Sequence, residues 1–98
     1  MTICFWNEDN ASEAARLLQV IAHPKRLLLL SILVERQLSA SKLAAAIGIS
    51  QPTVFRHLYR LEDLGLISIN SSTSSMTFAI ASPETVELLK VVKLALAG

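Results

Sequence analysis

From Ser50 to Arg60 the chain reads SQPTVFRHLYR, and its polar groups are of kinds that can read nucleic acid. Gln51 offers an amide that pairs with adenine, Arg56 a guanidinium fork that matches guanine, and Thr53 a hydroxyl suited to a base or a phosphate. Tyr59 and Arg60 stand a turn further on, where phosphates are the nearer target. Lys42, upstream, is another candidate for a phosphate. The spacing decides which groups share a side. Val54, Leu58, Leu61 and Gly65 recur at intervals of four, three and four, which makes one helical face apolar. Thr53, Arg56, Tyr59, Arg60 and Asp63 fall on the opposite face, with no carboxylate before Glu62. A helix of this kind suits the major groove of DNA. Taken alone, the segment suits an ordinary surface helix equally well.

The flanking elements narrow the choice. Ser50 can cap the free amides of the helix, and Pro52 is tolerated in its first turn. Before it, Ser39 (with Ser41 as a second candidate) can cap a short helix over Ala40 to Ala46, with Leu43 and Ile47 inward. Gly48 is placed to end that helix in the left-handed conformation. Ile49 plugs the turn, so the two helices form a helix-turn-helix. After Gly65 the period falls to 2. Leu66 to Ile69 reads as a strand, Asn70 to Ser75 as a polar turn, and Met76, Phe78 and Ile80, alternating with Thr77 and Ala79, as a return strand. This pair makes a wing, whose tip hydroxyls at Ser72 and Thr73 can bond phosphates without neutralising them.

Upstream, residues 1–10 read as a lead-in carrying Phe5 and Trp6. Ala11 to Ala22 reads as a helix with Ala14, Leu17, Leu18 and Ile21 on its apolar stripe. His23-Pro24 breaks it. Lys25 to Glu35 is apolar around most of its circumference and is expected to be the central core helix. Downstream, Ser82 caps and Pro83 opens a last helix so broadly apolar that it needs partners on two sides. It is expected to form a homodimer interface with the first helix.

Composition sets outer bounds. With 98 residues, 52% of them hydrophobic, the chain carries more apolar surface than one small domain readily hides. That excess also points to a dimer. The apolar run from Leu27 is far short of the ~20 residues that span a bilayer, and the acidic start MTICFWNEDN lacks the basic opening of a signal peptide. A cytoplasmic protein of one domain over residues 1–98, with no membrane association, is expected. Net charge is only +1 but unevenly spread. Residues 1–22 hold Arg16 against Glu8, Asp9 and Glu13, a net of −2; residues 61–98 also net −2. Residues 23–60 hold Lys25, Arg26, Arg36, Lys42, Arg56 and Arg60 against Glu35, a net of +5. A basic middle flanked by acidic ends suits a DNA-binding face between dimerisation elements.

One cysteine, Cys4, excludes an internal disulfide and a cysteine-rich metal site. As the sole thiol it is a candidate redox site, through an intersubunit disulfide or a sulfenic acid, with an inert cysteine as the plainer alternative. No Ser/His/Asp set, phosphate loop or metal cluster can be assembled, so neither an enzyme nor a cofactor is expected.

The runs AHPKRLLLLSIL and LSASKLAAAIGISQPTVFRHLYRLEDLGLI, in this order and separation, resemble the ArsR/SmtB family of bacterial winged-helix repressors. The resemblance covers about Ala11 to Ala97. It implies a mainly α (α+β) winged helix-turn-helix: four helices, a two-stranded wing and a last helix. It further implies a homodimer on a double-stranded DNA operator of pseudo-twofold symmetry, usually repressing until an inducer loosens it. The departures bear on the signal. Many family members sense metals through a cysteine pair on the helix before the turn, which here reads SASKLAAAI. Others use Asp, His and Glu on the last helix, which here holds Glu84 and Glu87 but no histidine. Redox-sensing relatives use two cysteines. Metal and intrachain disulfide sensing are therefore disfavoured, and no residue set specifies an inducer. Phe55 stands where the family often has a small Ser; it either packs at the edge of the apolar face or touches a thymine methyl. The wing tip NSSTSS lacks the usual Arg or Lys. Phe55 and that uncharged wing suit an alternative, a winged-helix protein-interaction module without DNA binding, which the basic middle segment opposes.

Overall fold

The computed structural model describes residues 6–97 and holds five helices and one two-stranded antiparallel sheet. The helices are α1 (Glu8–Ile21), α2 (Pro24–Glu35), α3 (Ala40–Ile47), α4 (Gln51–Asp63) and α5 (Pro83–Ala97); the strands β1 (Ile67–Ser71) and β2 (Met76–Ile80) lie between α4 and α5. This is the winged helix-turn-helix order expected from the sequence.

Local chemistry sets most of the boundaries. α1 begins at Glu8 rather than Ala11, because Asn7 and Asn10 form a reciprocal capping box. The Asn10 amide donates to Asn7 Oδ1 at 3.0 Å, and the Asn7 amide to Asn10 Oδ1 at 2.7 Å. Glu8 and Asp9 then sit at the positive end of the helix dipole. His23 caps α2, its Nδ1 accepting from the Lys25 amide at 3.2 Å, with Pro24 in the first turn. Ser39 caps α3 and Ser50 caps α4. Gly48 ends α3 with φ +72°, and the amides of Gly48 and Ile49 both donate to the Ala44 carbonyl.

The core gathers the inward faces of every element up to β2. Leu29, Leu30, Leu43, Val54, Leu58, Leu61 and Phe78 are its largest fully buried side chains. α2 is the core helix expected, with Leu29, Leu30 and Leu33 buried, while Leu28 is 46% exposed. One expectation is corrected here. On α1 the buried residues are Val20 and Ile21, while Leu18 points out at 53% exposure.

The wing departs from the expected strand limits. β1 starts one residue later and runs through Ser71, so the turn is residues 72–75. Leu66 is a buried connector whose carbonyl accepts from the Ala81 amide. The register pairs Ile67 with Ile80, Ile69 with Phe78 and Ser71 with Met76. Leu38, expected only to connect, bridges Phe78 with two backbone hydrogen bonds, of 2.9 and 3.3 Å. Next to it Gln37 Oε1 accepts from Asn70 Nδ2 and Thr77 Oγ1. The α2–α3 connection is thus a one-residue third strand that ties the wing base to the helices.

α5 packs on β2 through its first half, with Thr85 buried and its hydroxyl 3.0 Å from Ser82 Oγ. Its second half turns large apolar groups outward, Leu94 at 71% and Leu96 at 85% exposure. The radius of gyration is 15.1 Å, against ~13 Å for a compact chain of this length.

Candidate nucleic-acid interface

α3, the Gly48 turn and α4 hold the candidate residues. The buried triad Val54, Leu58 and Leu61 pins one side of α4 to the core, which forces its other side outward. At its start the hydroxyls of Ser50 and Thr53 lie 2.9 Å apart, the Thr53 amide donates to Ser50 Oγ at 3.3 Å, and Arg56 Nη2 donates to Thr53 Oγ1 at 3.3 Å. Three side chains spaced by three residues are therefore linked in one line. Ser50 is committed to the cap, Thr53 is half-buried, and Arg56 is exposed but tethered. Gln51 is exposed beside them. The arrangement presents an amide and a guanidinium at the exposed start of a helix, with part of the arginine's freedom already removed.

The remaining candidates lie around this line. Arg60 and Tyr59 are exposed a turn further along. Phe55 is half-buried; its ring stacks on Tyr59 at 5.8 Å and meets the buried Phe78 ring edge-on at 6.1 Å. Packing at the edge of the core is the arrangement the structure contains for it. Lys42 is exposed on α3. Ser72 and Thr73 are exposed at the wing tip, where Ser72 Oγ bonds both the amide and the carbonyl of Ser75. The tip is a self-closed turn carrying hydroxyls and no charge. Cys4 lies outside the described residues.

One cluster escaped sequence reasoning. Arg26 Nε donates to His57 Nδ1 at 3.2 Å, Arg26 Nη1 donates to the Val20 carbonyl at 3.0 Å, and the His23 and His57 rings stand 4.8 Å apart. These contacts tie α1, α2 and α4 together behind the exposed edge. Burial lowers the His57 pKa below its usual 6.5, and the neighbouring His23, Arg26 and Arg56 push it the same way. His57 is therefore a neutral acceptor at pH 7, not a cation for DNA. The histidine cap before Pro24 was the only local hint of this cluster; a separation of 31 residues hides the rest.

Among the described residues no group of three or more His, Cys, Asp or Glu side chains is placed to hold a metal ion, and no single helix is long and apolar enough to cross a membrane.

Comparison with known proteins agrees with this architecture. The family described as bacterial regulatory protein, arsR family, matches residues 23–68, which run from the α2 cap into β1. The biofilm growth-associated repressor of Xylella fastidiosa is 32% identical over 82 residues, covering 84% of this chain and 72% of the relative. The transcriptional activator HlyU of Vibrio cholerae is 26% identical over 84 residues, covering 86% and 78%. The crystal structure of Rv0081 from M. tuberculosis superposes with a TM-score of 0.86 at 29% identity, covering 93% of this chain and 92% of that one.

Proposed function

We propose, from the fact that this chain belongs to the arsR family of bacterial regulatory proteins, that it is a homodimeric repressor that reads a DNA operator with α4. The observation that carries this is the polar line of α4. Its start exposes Gln51 and the tethered Arg56, while its opposite side is locked into the core. Gln51 and Arg56 contact base edges, with Thr53 holding the arginine. Lys42, Tyr59, Arg60 and the hydroxyls of Ser72 and Thr73 take phosphates. Ser50 acts as the cap that sets the helix start, and Phe55 supports the helix from the edge of the core. Two α4 helices in a dimer enter successive major grooves ~34 Å apart. The dimer forms through α1 and α5, whose outward Leu18, Leu94 and Leu96 are apolar area that a single copy leaves wet. A protein of this function acts in the cytoplasm.

Repression is favoured by the repressor of Xylella fastidiosa, which at 32% identity is nearer to this chain than the activator HlyU at 26%. Selection of bound duplexes from a random pool, followed by footprinting, tests the proposal. A two-fold symmetric site protected on one face is expected. Recovery of no consensus would reject sequence reading and leave the interaction-module alternative.

A further inference from the structure

Behind the reading edge of α4 lies a groove of about 570 Å³ between α1, α2 and α4. Arg16 of α1, Arg26 of α2 and Arg60 of α4 line it, against the single carboxylate of Glu13; Val20 and Leu64 supply its apolar part. Three helices thus bring guanidiniums together where sequence spacing alone would scatter them. Arg26 is half-buried and held by the Val20 carbonyl and His57, so its fork is fixed before any ligand arrives. Arg16 and Arg60 have no ion-pair or hydrogen-bond partner among the described residues, Glu13 included.

We propose that this groove is a phosphate-binding site. Planar guanidinium forks grip phosphate oxygens in pairs, and a preset fork loses less freedom on binding than a mobile one. The lining, three arginines against one glutamate, carries net positive charge enough for the single charge of a phosphodiester or the ~1.5–2 negative charges of a phosphomonoester. Phosphate oxygens for these forks have two sources. One is the DNA backbone beside α4, because Arg60 follows Arg56 by one turn on the helix. The other is a free phosphorylated small molecule, for which the groove is roomy enough. The DNA source rests on the function proposed above; the free source does not.

Arg16→Ala on the full chain is the test, since Arg16 is exposed on α1 and alanine keeps the helix. Arg16→Lys accompanies it and retains the charge. Binding to the selected operator and to a mixed-sequence duplex is titrated over a range of salt. Thermal unfolding is followed with and without inorganic pyrophosphate. If the groove holds a backbone phosphate, Arg16→Ala weakens both duplexes alike and lowers the salt slope by about one, and Arg16→Lys restores most of the slope. If it holds a free phosphate, pyrophosphate raises the melting temperature of the wild type but not of Arg16→Ala. Either result supports the site; a lowered salt slope identifies the DNA backbone as the source, and a pyrophosphate response with a wild-type salt slope identifies the free phosphate. Wild-type salt slope and an unchanged pyrophosphate response in Arg16→Ala would overturn it. A wild type that binds no duplex rejects the DNA-reading function, yet the pyrophosphate arm still decides the groove.

Discussion

At the residue scale, the two groups most sharply defined are Arg56 and His57, neighbours in sequence with opposite duties. Arg56 is exposed and held at the start of α4 by Thr53. Its replacement by alanine removes no core contact, so the protein stays folded while discrimination for the operator falls by about 1–3 kcal/mol. Anisotropy titrations on operator and scrambled duplex check this; an unchanged ratio of affinities would reject Arg56 as a base reader. His57 faces inward and accepts from Arg26. Burial, then His23, Arg26 and Arg56, hold its pKa below 6.5. The unfolded chain therefore binds a proton on His57 more readily than the folded one. The stability from the neutral ring is complete above about pH 6.5 and is lost as pH falls towards the depressed folded value. Melting temperature should drop on acidification from pH 7 to pH 5, and His57→Asn, which keeps an acceptor near the same place, should flatten that drop. An equally steep profile in the variant would assign the pH response to other groups.

At the element scale, Gly48 sets the angle between α3 and α4 through its left-handed backbone. A Cβ there would meet nothing within 4 Å, so the demand is conformational and not spatial. Gly48→Ala is expected to lose about 1–2 kcal/mol, read from the urea midpoint, with little change of the core. A midpoint within error of the wild type would mean the turn adapts. The turn was legible in the sequence because glycine, the Ser50 cap and the Val54–Leu58–Leu61 spacing all act within a few residues of one another. α1 was legible in kind but not in extent: the Asn7–Asn10 box uses an asparagine where a glutamate is the usual signal. The bridge from Leu38 to Phe78 was hidden because a single paired residue has no period to detect. The Arg16–Arg26–Arg60 groove was hidden for a similar reason. Its members belong to three helices, and spacing rules relate residues only within one.

At the scale of the whole molecule, the apolar excess in the composition finds its place on α1 and α5. Leu18, Leu94 and Leu96 are left in water by a single copy, and the proposed two-fold dimer would cover them on both copies. The elongated shape agrees, since α5 extends past the core that its first half packs against. Symmetry doubles the effect of a substitution, because each interface change occurs twice. Leu94→Lys places a charge on a side chain that is 71% exposed in the single copy, so the protomer fold is left intact. In the proposed dimer the two ammonium groups would lose water without gaining a partner, a penalty of several kcal/mol for the pair. That corresponds to a rise in the dissociation constant of a hundredfold or more by the usual ~1.4 kcal/mol per decade. Light scattering at micromolar concentration should show a dimer for the wild type and a monomer for Leu94→Lys, with unchanged far-ultraviolet dichroism. Operator affinity should fall with it, because one α4 then reaches one half-site alone. A variant that remains dimeric would move the interface away from the end of α5.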